Sequence, residues 1–297
     1  MKLLLLAALA VILLAVVGFA WAATSMPGRS HRGALPPITT AQRALAEELR
    51  RDVRGLCAAQ PRKSYIPFVE EEHENFVREI RGTSDEIVIV GAHYDAIDDL
   101  PGADDNASGV AALLALARRF ENAKPRRTIR FVAFANEEPP HFRTQSMGSW
   151  QYARRSRERG ERIVAVLNLE MLGYYGGPQA YPPPLSLLYP REGNFVAFAG
   201  NFRSRALIRR CVASFRKHAA FPSEGAAMPE LIDEIGWSDQ WSFWQFGYPA
   251  LMVTDTAFFR NPNYHAPGDT PETLDYESFA RVVDGLTDVI RDLAGRA

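Results

Sequence analysis

Two hydrophobic periods alternate along this chain. Asn75–Ile80, Glu86–Ala92 and Thr128–Ala135 are short strand-like runs, and the middle one carries Ile87, Val88, Ile89 and Val90 in succession, as expected of a buried parallel strand. Between the last two, Ala107–Phe120 sets Val110, Leu113, Leu114 and Ala117 on one face, which predicts an amphipathic helix. Downstream the spacing predicts helices over Ser149–Arg157, Arg203–His218, Ser238–Phe246 and Glu277–Leu293, and strands over Arg162–Leu169, Phe195–Ala199 and Pro249–Thr254. Upstream, Thr39 and Gln42 form a capping box ahead of the stripe Leu45, Leu49, Val53 and Leu56, the signature of a helix start. Strands alternating with helices predict an α/β fold on a largely parallel sheet.

With 297 residues, 47% of them hydrophobic, the chain can bury one large core, so one globular domain is expected. Its 34 basic and 35 acidic residues leave a net charge of -1, which offers no electrostatic footprint for nucleic acid. Cys57 and Cys211 stand in no metal-binding or redox spacing, leaving either a single disulfide or two free thiols. The N-terminus changes the picture more. Leu3–Ala23 is uncharged and apolar, and as a helix it would rise about 31 Å, the thickness of a bilayer core. Residues 1–25 are therefore expected to be a membrane anchor, or a signal segment cleaved near Ala20-Trp21-Ala22. Residues 26–38, with the Pro- and Gly-rich Gly28–Pro37, read as a linker to a domain spanning 39–297. That domain is expected outside the cytoplasm, anchored by the N-terminal helix or secreted after cleavage.

Candidate chemistry gathers at strand ends. The loop after the second strand holds His93, Asp95, Asp98, Asp99, Asp104 and Asp105, and the crevice beyond the carboxyl ends of parallel strands is where open α/β sheets bind ligands. Asp104 or Asp105 could simply cap the next helix, but five carboxylates around one imidazole repel one another unless a cation joins them. Glu137 with Glu138, and Glu170, likewise follow the last apolar residue of separate strands, and His265 follows the strand at Pro249–Thr254. Imidazole nitrogen and carboxylate oxygen without thiolate suit zinc.

The ordered set HYD, GADDNASG, NEE, NLEM, SDQ with GYPA, and NPNYHAPGDT resembles the di-zinc exopeptidase family that includes aminopeptidase Y, bacterial leucyl aminopeptidases and glutamate carboxypeptidase II. The resemblance runs from about Asn75 to the C-terminus. It implies a three-layer α/β fold, a mostly parallel central sheet flanked by helices, and two zinc ions per chain. It further implies that His93 and Glu170 hold one ion, Glu138 and His265 the other, and Asp105 bridges them. Asp95 would orient His93 through the imidazole's second nitrogen, and Glu137 would be the general base. Peptides with a free N-terminus would be the substrates. Glu170 stands where many relatives have Asp, and Gln240 where many have His.

Two rivals share the pattern. A single-zinc glutaminyl-peptide cyclotransferase on the same fold is suggested by the extended loop Pro139–Met147, which also contains His141. A non-catalytic ectodomain is opposed by retention of all five ligands and Glu137. The proline-rich Tyr174–Gly193 is expected to be an irregular rim over the site. Trp237, Trp241, Phe243, Trp244 and Phe246 are read as either a pocket lining or core.

Overall fold

The capping box at Thr39 forms in both directions: Gln42 N donates to Thr39 Oγ1 at 3.1 Å, and Thr39 N to Gln42 Oε1 at 3.2 Å. It starts α1 (Thr40–Ala58), which buries Leu45, Leu49 and Val53. This computed structural model describes residues 11, 14, 17–59, 62, 75–181 and 185–296. After α1 come β1 (Phe76–Ile80), β2 (Glu86–His93), α2 (Gly109–Phe120), β3 (Thr128–Phe134), α3 (Gly148–Glu158) and β4 (Arg162–Glu170). They are followed by β5 (Val196–Asn201), α4 (Arg205–His218), β6 (Ser223–Met228), α5 (Gln240–Gln245), β7 (Ala250–Thr254) and α6 (Tyr276–Ala294).

The strands form one seven-stranded sheet in the order β1-β3-β2-β4-β7-β5-β6. Four of its five inner strands, β3, β2, β4 and β7, run parallel, whereas β1 is antiparallel to β3 and β5 to β7. Both faces are covered, which is why the strands read as unbroken apolar runs. Val88 and Val90 pack with α1, α2, α4 and α6 on one face. Ile87 and Ile89 point to the other, where Tyr152 of α3 and Phe243 and Trp244 of α5 close a second core. The fold is thus the expected three-layer α/β architecture. Because those four strands are parallel, His93, Glu170 and the residues following Phe134 and Thr254 arrive at the same sheet edge.

Several expectations change in detail. β6, of sequence SEGAAM, lacks the β-branched residues that mark a strand. It is built from small residues because Met26 and Val212 crowd Gly225, where an added Cβ would lie 2.7 Å and 3.0 Å from their side chains. Cys57 and Cys211 are free thiols, with Cys211 buried. Trp244 and Phe243 are core, while Trp237 is partly exposed and packs on Phe258. In the rim, Pro182, Pro183 and Pro184 lie outside the described residues. The rest is irregular apart from a turn of helix at Leu185–Leu188.

Most of the Leu3–Ala23 run also lies outside the described residues, though 17–24 are helical. Among the described residues no helix is long and apolar enough to cross a membrane. Part of the 26–38 segment expected as a linker lies against the body. Arg216 Nη1 donates to the carbonyls of Pro27 and Gly28 at 3.2 Å and 3.3 Å, Ser223 N donates to Ser30 Oγ, and Arg281 to the Pro36 carbonyl.

Candidate metal centre

β2 delivers His93 fully buried, with Nε2 3.3 Å from Asp105 Oδ1 and 3.4 Å from Glu170 Oε1. Its other nitrogen, Nδ1, faces Asp95 Oδ1 at 3.5 Å. Asp95 also accepts from the backbone N–H groups of Glu137 at 3.2 Å and Glu138 at 3.0 Å. One carboxylate therefore ties the end of β2 to the turn after β3. On the other side, His265 Nε2 lies 3.1 Å from Asp105 Oδ2 and 3.5 Å from Glu138 Oε2. His265 is presented by a loop at positive φ, and Tyr264 stacks on its ring at 3.8 Å between centroids.

Asp105 sits between the two imidazoles because its own backbone is held from several sides. The turn Ala103–Ser108 precedes α2, with Asp105 and Asn106 in non-helical conformations. Gly102 opens it at φ +56, where a Cβ would collide with the Asp105 carbonyl, a left-handed position that glycine takes without strain. Asp269 accepts from Asp104 N at 2.9 Å and Asp105 N at 3.1 Å. Asn106 spans to β4, donating to the Leu169 carbonyl and accepting from Met171 N and Gly109 N. Glu170, at the end of β4, accepts a short 2.5 Å bond from Ser238 Oγ.

Electrostatics show what such crowding does to protons. Burial raises the carboxyl of Glu137 well above its ordinary range, and Glu138, Glu170 and Asp239 add to this against the pull of His93. Glu138 is pushed up to about 9 by burial and then by Asp105, and Glu170 is raised by burial. Burial works against charge on Asp105 too, but hydrogen bonds to His265 and His93 hold it below the carboxylate range. Burial would lower His93, yet Glu170, Glu137, Asp105 and Asp95 drive it well upward. Buried carboxylates that must borrow protons are what a divalent cation neutralises.

The donor set fits such a cation. Among the described residues, His93, Asp105 and Glu170 form one group whose ligand atoms lie within 4.8 Å of one another, and Asp105, Glu138 and His265 form another. His93 with Glu137 and Glu138 is a third. The first two share Asp105 and together use the five residues expected from the sequence.

Other groups here carried no signal of their own. Asp269 lies within the NPNYHAPGDT stretch but has no periodic or spacing signature. Asp239 is fully buried near His93 and Glu170, and burial pushes it up to about 7. Gln240 does not reach the metal cluster: it accepts from Asn168 Nδ2 at 3.1 Å and donates to the Ile235 carbonyl at 2.9 Å. The extended loop is latched to the segment before α5, with Arg143 Nη2 donating to the Asp233 carbonyl and Arg143 Nε to the Gly236 carbonyl. His141 donates its backbone N–H to the Glu138 carbonyl at 3.0 Å.

Imidazole and carboxylate ligands at the carboxyl edge of a parallel sheet belong to the chemistry of zinc-type hydrolases. Comparison with known proteins agrees with that class. Residues 75–290 match peptidase family M28, and the chain belongs to that family and is a peptidase. It is 41% identical over 233 residues to the Escherichia coli K12 protein YfbL, covering 74% of this chain and 71% of that one. It is 30% identical over 220 residues to a probable leucine aminopeptidase of Trichophyton verrucosum, covering 68% of this chain and 52% of the relative, so the chain spans about half of that relative's length. Among solved structures, the fold is shared with the LapA aminopeptidase of Legionella pneumophila (TM-score 0.62, 17% identity, 89% of this chain and 77% of that one). It is shared as well with the glutaminyl cyclase of Fimbriiglobus ruber (TM-score 0.57, 18% identity, 88% of this chain and 97% of that one).

Proposed function

We propose that this peptidase is a di-zinc aminopeptidase that removes residues from peptides with a free N-terminus. The observation that carries the reading is the pair of ligand groups joined at Asp105. His93 and Glu170 would hold one zinc, Glu138 and His265 the other, and Asp105 both. Zinc bound there would lower the pKa of a bound water and polarise the scissile carbonyl. The chain's own residues do the rest. Asp95 orients His93 and, through the Glu137 and Glu138 backbone, fixes where the base stands. Glu137, buried and 3.8 Å from His93 Nε2, takes the water's proton and returns it to the leaving amine. Substitution by glutamine keeps its shape and removes its basicity.

A single-zinc glutaminyl cyclase is the second reading, favoured by the chain matching nearly the whole length of the Fimbriiglobus ruber enzyme. Asp105, Glu138 and His265 alone would make a three-ligand catalytic site. Zinc content, amino-acid release from peptides and cyclisation of an N-terminal glutamine peptide, measured side by side, separate the two. For location, the apolar run at Leu3–Ala23 supports a body outside the cytoplasm, anchored by that run or released after its cleavage.

A further inference from the structure

One side chain ties the loop after β3 to the segment before α5. Arg143 donates from Nη1 to the Asp233 carboxylate and from Nη2 to the Asp233 carbonyl at 3.1 Å, while its Nε reaches the Gly236 carbonyl at 3.4 Å. Gly236 leaves room for it, since a Cβ there would lie 2.6 Å from Nη2. The other carboxylate oxygen of Asp233 accepts from Trp237 Nε1 at 2.8 Å. Trp237 in turn meets Phe258 at 5.3 Å between ring centroids, Phe258 meets Tyr264 at 5.8 Å, and Tyr264 stacks on the ring of His265. A row of three aromatic rings thus runs from a candidate metal ligand to the Asp233 carboxylate. Trp237 is 37% exposed and Phe258 36%, so the row is a surface and not core. Its far end adjoins Ser238, whose hydroxyl donates to Glu170. The row therefore borders both ligand groups that meet at Asp105.

The metal ligands do not need Arg143 to hold their places. Asp95 pins the amides of Glu137 and Glu138, and Ser238 is fixed by Glu170 and by Asn168 Nδ2 at 2.8 Å. Phe258 follows a turn set by the fully buried Asp255, which accepts from Ala257 N at 2.9 Å. The turn before Tyr264 is set by Asn261, which accepts from Asn263 N and donates to Asp104. Trp237 is held differently. Its single indole N–H goes to Asp233, whose side chain is 60% exposed and is itself steered by Arg143. We propose that Arg143 and Asp233 are positioning residues that set Trp237 as the wall on which the side chain of a substrate's first residue rests, so that peptides beginning with a large apolar residue are preferred. This deepens the aminopeptidase reading and rests on it. An apolar side chain laid on exposed ring faces removes both surfaces from water. The contact lies away from the reacting atoms and is the same before and during reaction, so it should act on KM rather than kcat.

The test measures kcat and KM of the zinc-loaded full chain on phenylalanine, leucine and alanine amides, with zinc content determined for every variant. Trp237→Ala should raise KM for the phenylalanine and leucine amides about tenfold, the scale of discrimination a hydrophobic contact supplies, with a much smaller change for the alanine amide. Arg143→Ala and Asp233→Ala should each raise KM about threefold in the same selective way, the scale of an exposed ion pair, with zinc content and kcat retained. Because both residues act through Trp237, adding either substitution to Trp237→Ala should cost nothing more. Equal losses on all three amides, a fall in kcat in place of a rise in KM, or full additivity with Trp237→Ala would each overturn the proposal while leaving the aminopeptidase reading in place. A wild-type chain that releases amino acid from none of the amides overturns that reading and this inference together.

Discussion

Asp269 offers a perturbation whose size follows from the geometry. Its two carboxylate oxygens accept from Asp104 N and Asp105 N at 2.9 Å and 3.1 Å in a buried setting. One side chain thus holds the amides of both Asp104 and the bridging Asp105. Asp269→Asn keeps the shape but turns one acceptor into a donor that faces a backbone N–H. A hydrogen bond to a charged group is worth about 1.5–3 kcal/mol, and that is the expected loss of folding stability. The same displacement reaches the metal through Asp105, and removing the partner of a metal ligand typically weakens metal affinity about 10–100-fold. In free-energy terms this is about 1.4–2.7 kcal/mol. Burial, followed by Asp104, pushes the Asp269 carboxyl up to about 7, so the comparison belongs at about pH 8, where the wild-type group is ionised. Urea unfolding of the metal-free protein gives the first quantity and competition with a chelator gives the second. A variant with unchanged stability and unchanged zinc affinity would refute the role given to Asp269.

Glu137→Gln should lower turnover by about 100-fold or more while leaving zinc content intact, since general-base catalysis contributes at least that much; near-normal hydrolysis of an amino-acid amide would remove Glu137 from the mechanism. Glu138→Ala and His265→Ala should lose metal and thermal stability together, and a variant with full zinc content is not missing a ligand. Away from the site, burial opposes charge on Glu161, but Arg130 holds its carboxyl below the ordinary range. Its contribution is therefore present above the unfolded-state pKa and lost as pH falls through the folded one. Between about pH 6 and about pH 3 the stability advantage of wild type over Glu161→Gln should shrink, and an advantage that grows in acid would contradict the pairing.

Much of the centre was legible because parallel strands convert sequence position into spatial position. His93, Glu137, Glu138 and Glu170 each follow an apolar run, and the sheet brings those run ends to one edge. His265 was legible only through its motif, since its loop has no period to read. Strand direction was invisible: β5 and β1 carry the same alternation whether parallel or antiparallel, and only the register reveals the reversal. β6 escaped because close approach by Met26 and Val212 selects small residues over β-branched ones. Gly28–Pro37 resembled a free tether by composition. Its backbone carbonyls, which composition does not encode, are what Arg216 and Arg281 hold. Asp269 and Ser238 were missed for a related reason, because partners that orient ligands act through backbone amides or hydroxyls at long sequence separation.

The central claim is that two ligand groups meet at Asp105, and counting metal tests it directly. Elemental analysis of the purified full chain should give two zinc ions per chain, and His93→Ala should reduce this to one and sharply cut amino-acid release from peptides. The remaining Asp105, Glu138 and His265 would still suffice for a single zinc. One zinc in the native protein, together with cyclisation of an N-terminal glutamine peptide and no hydrolysis, would contradict the account.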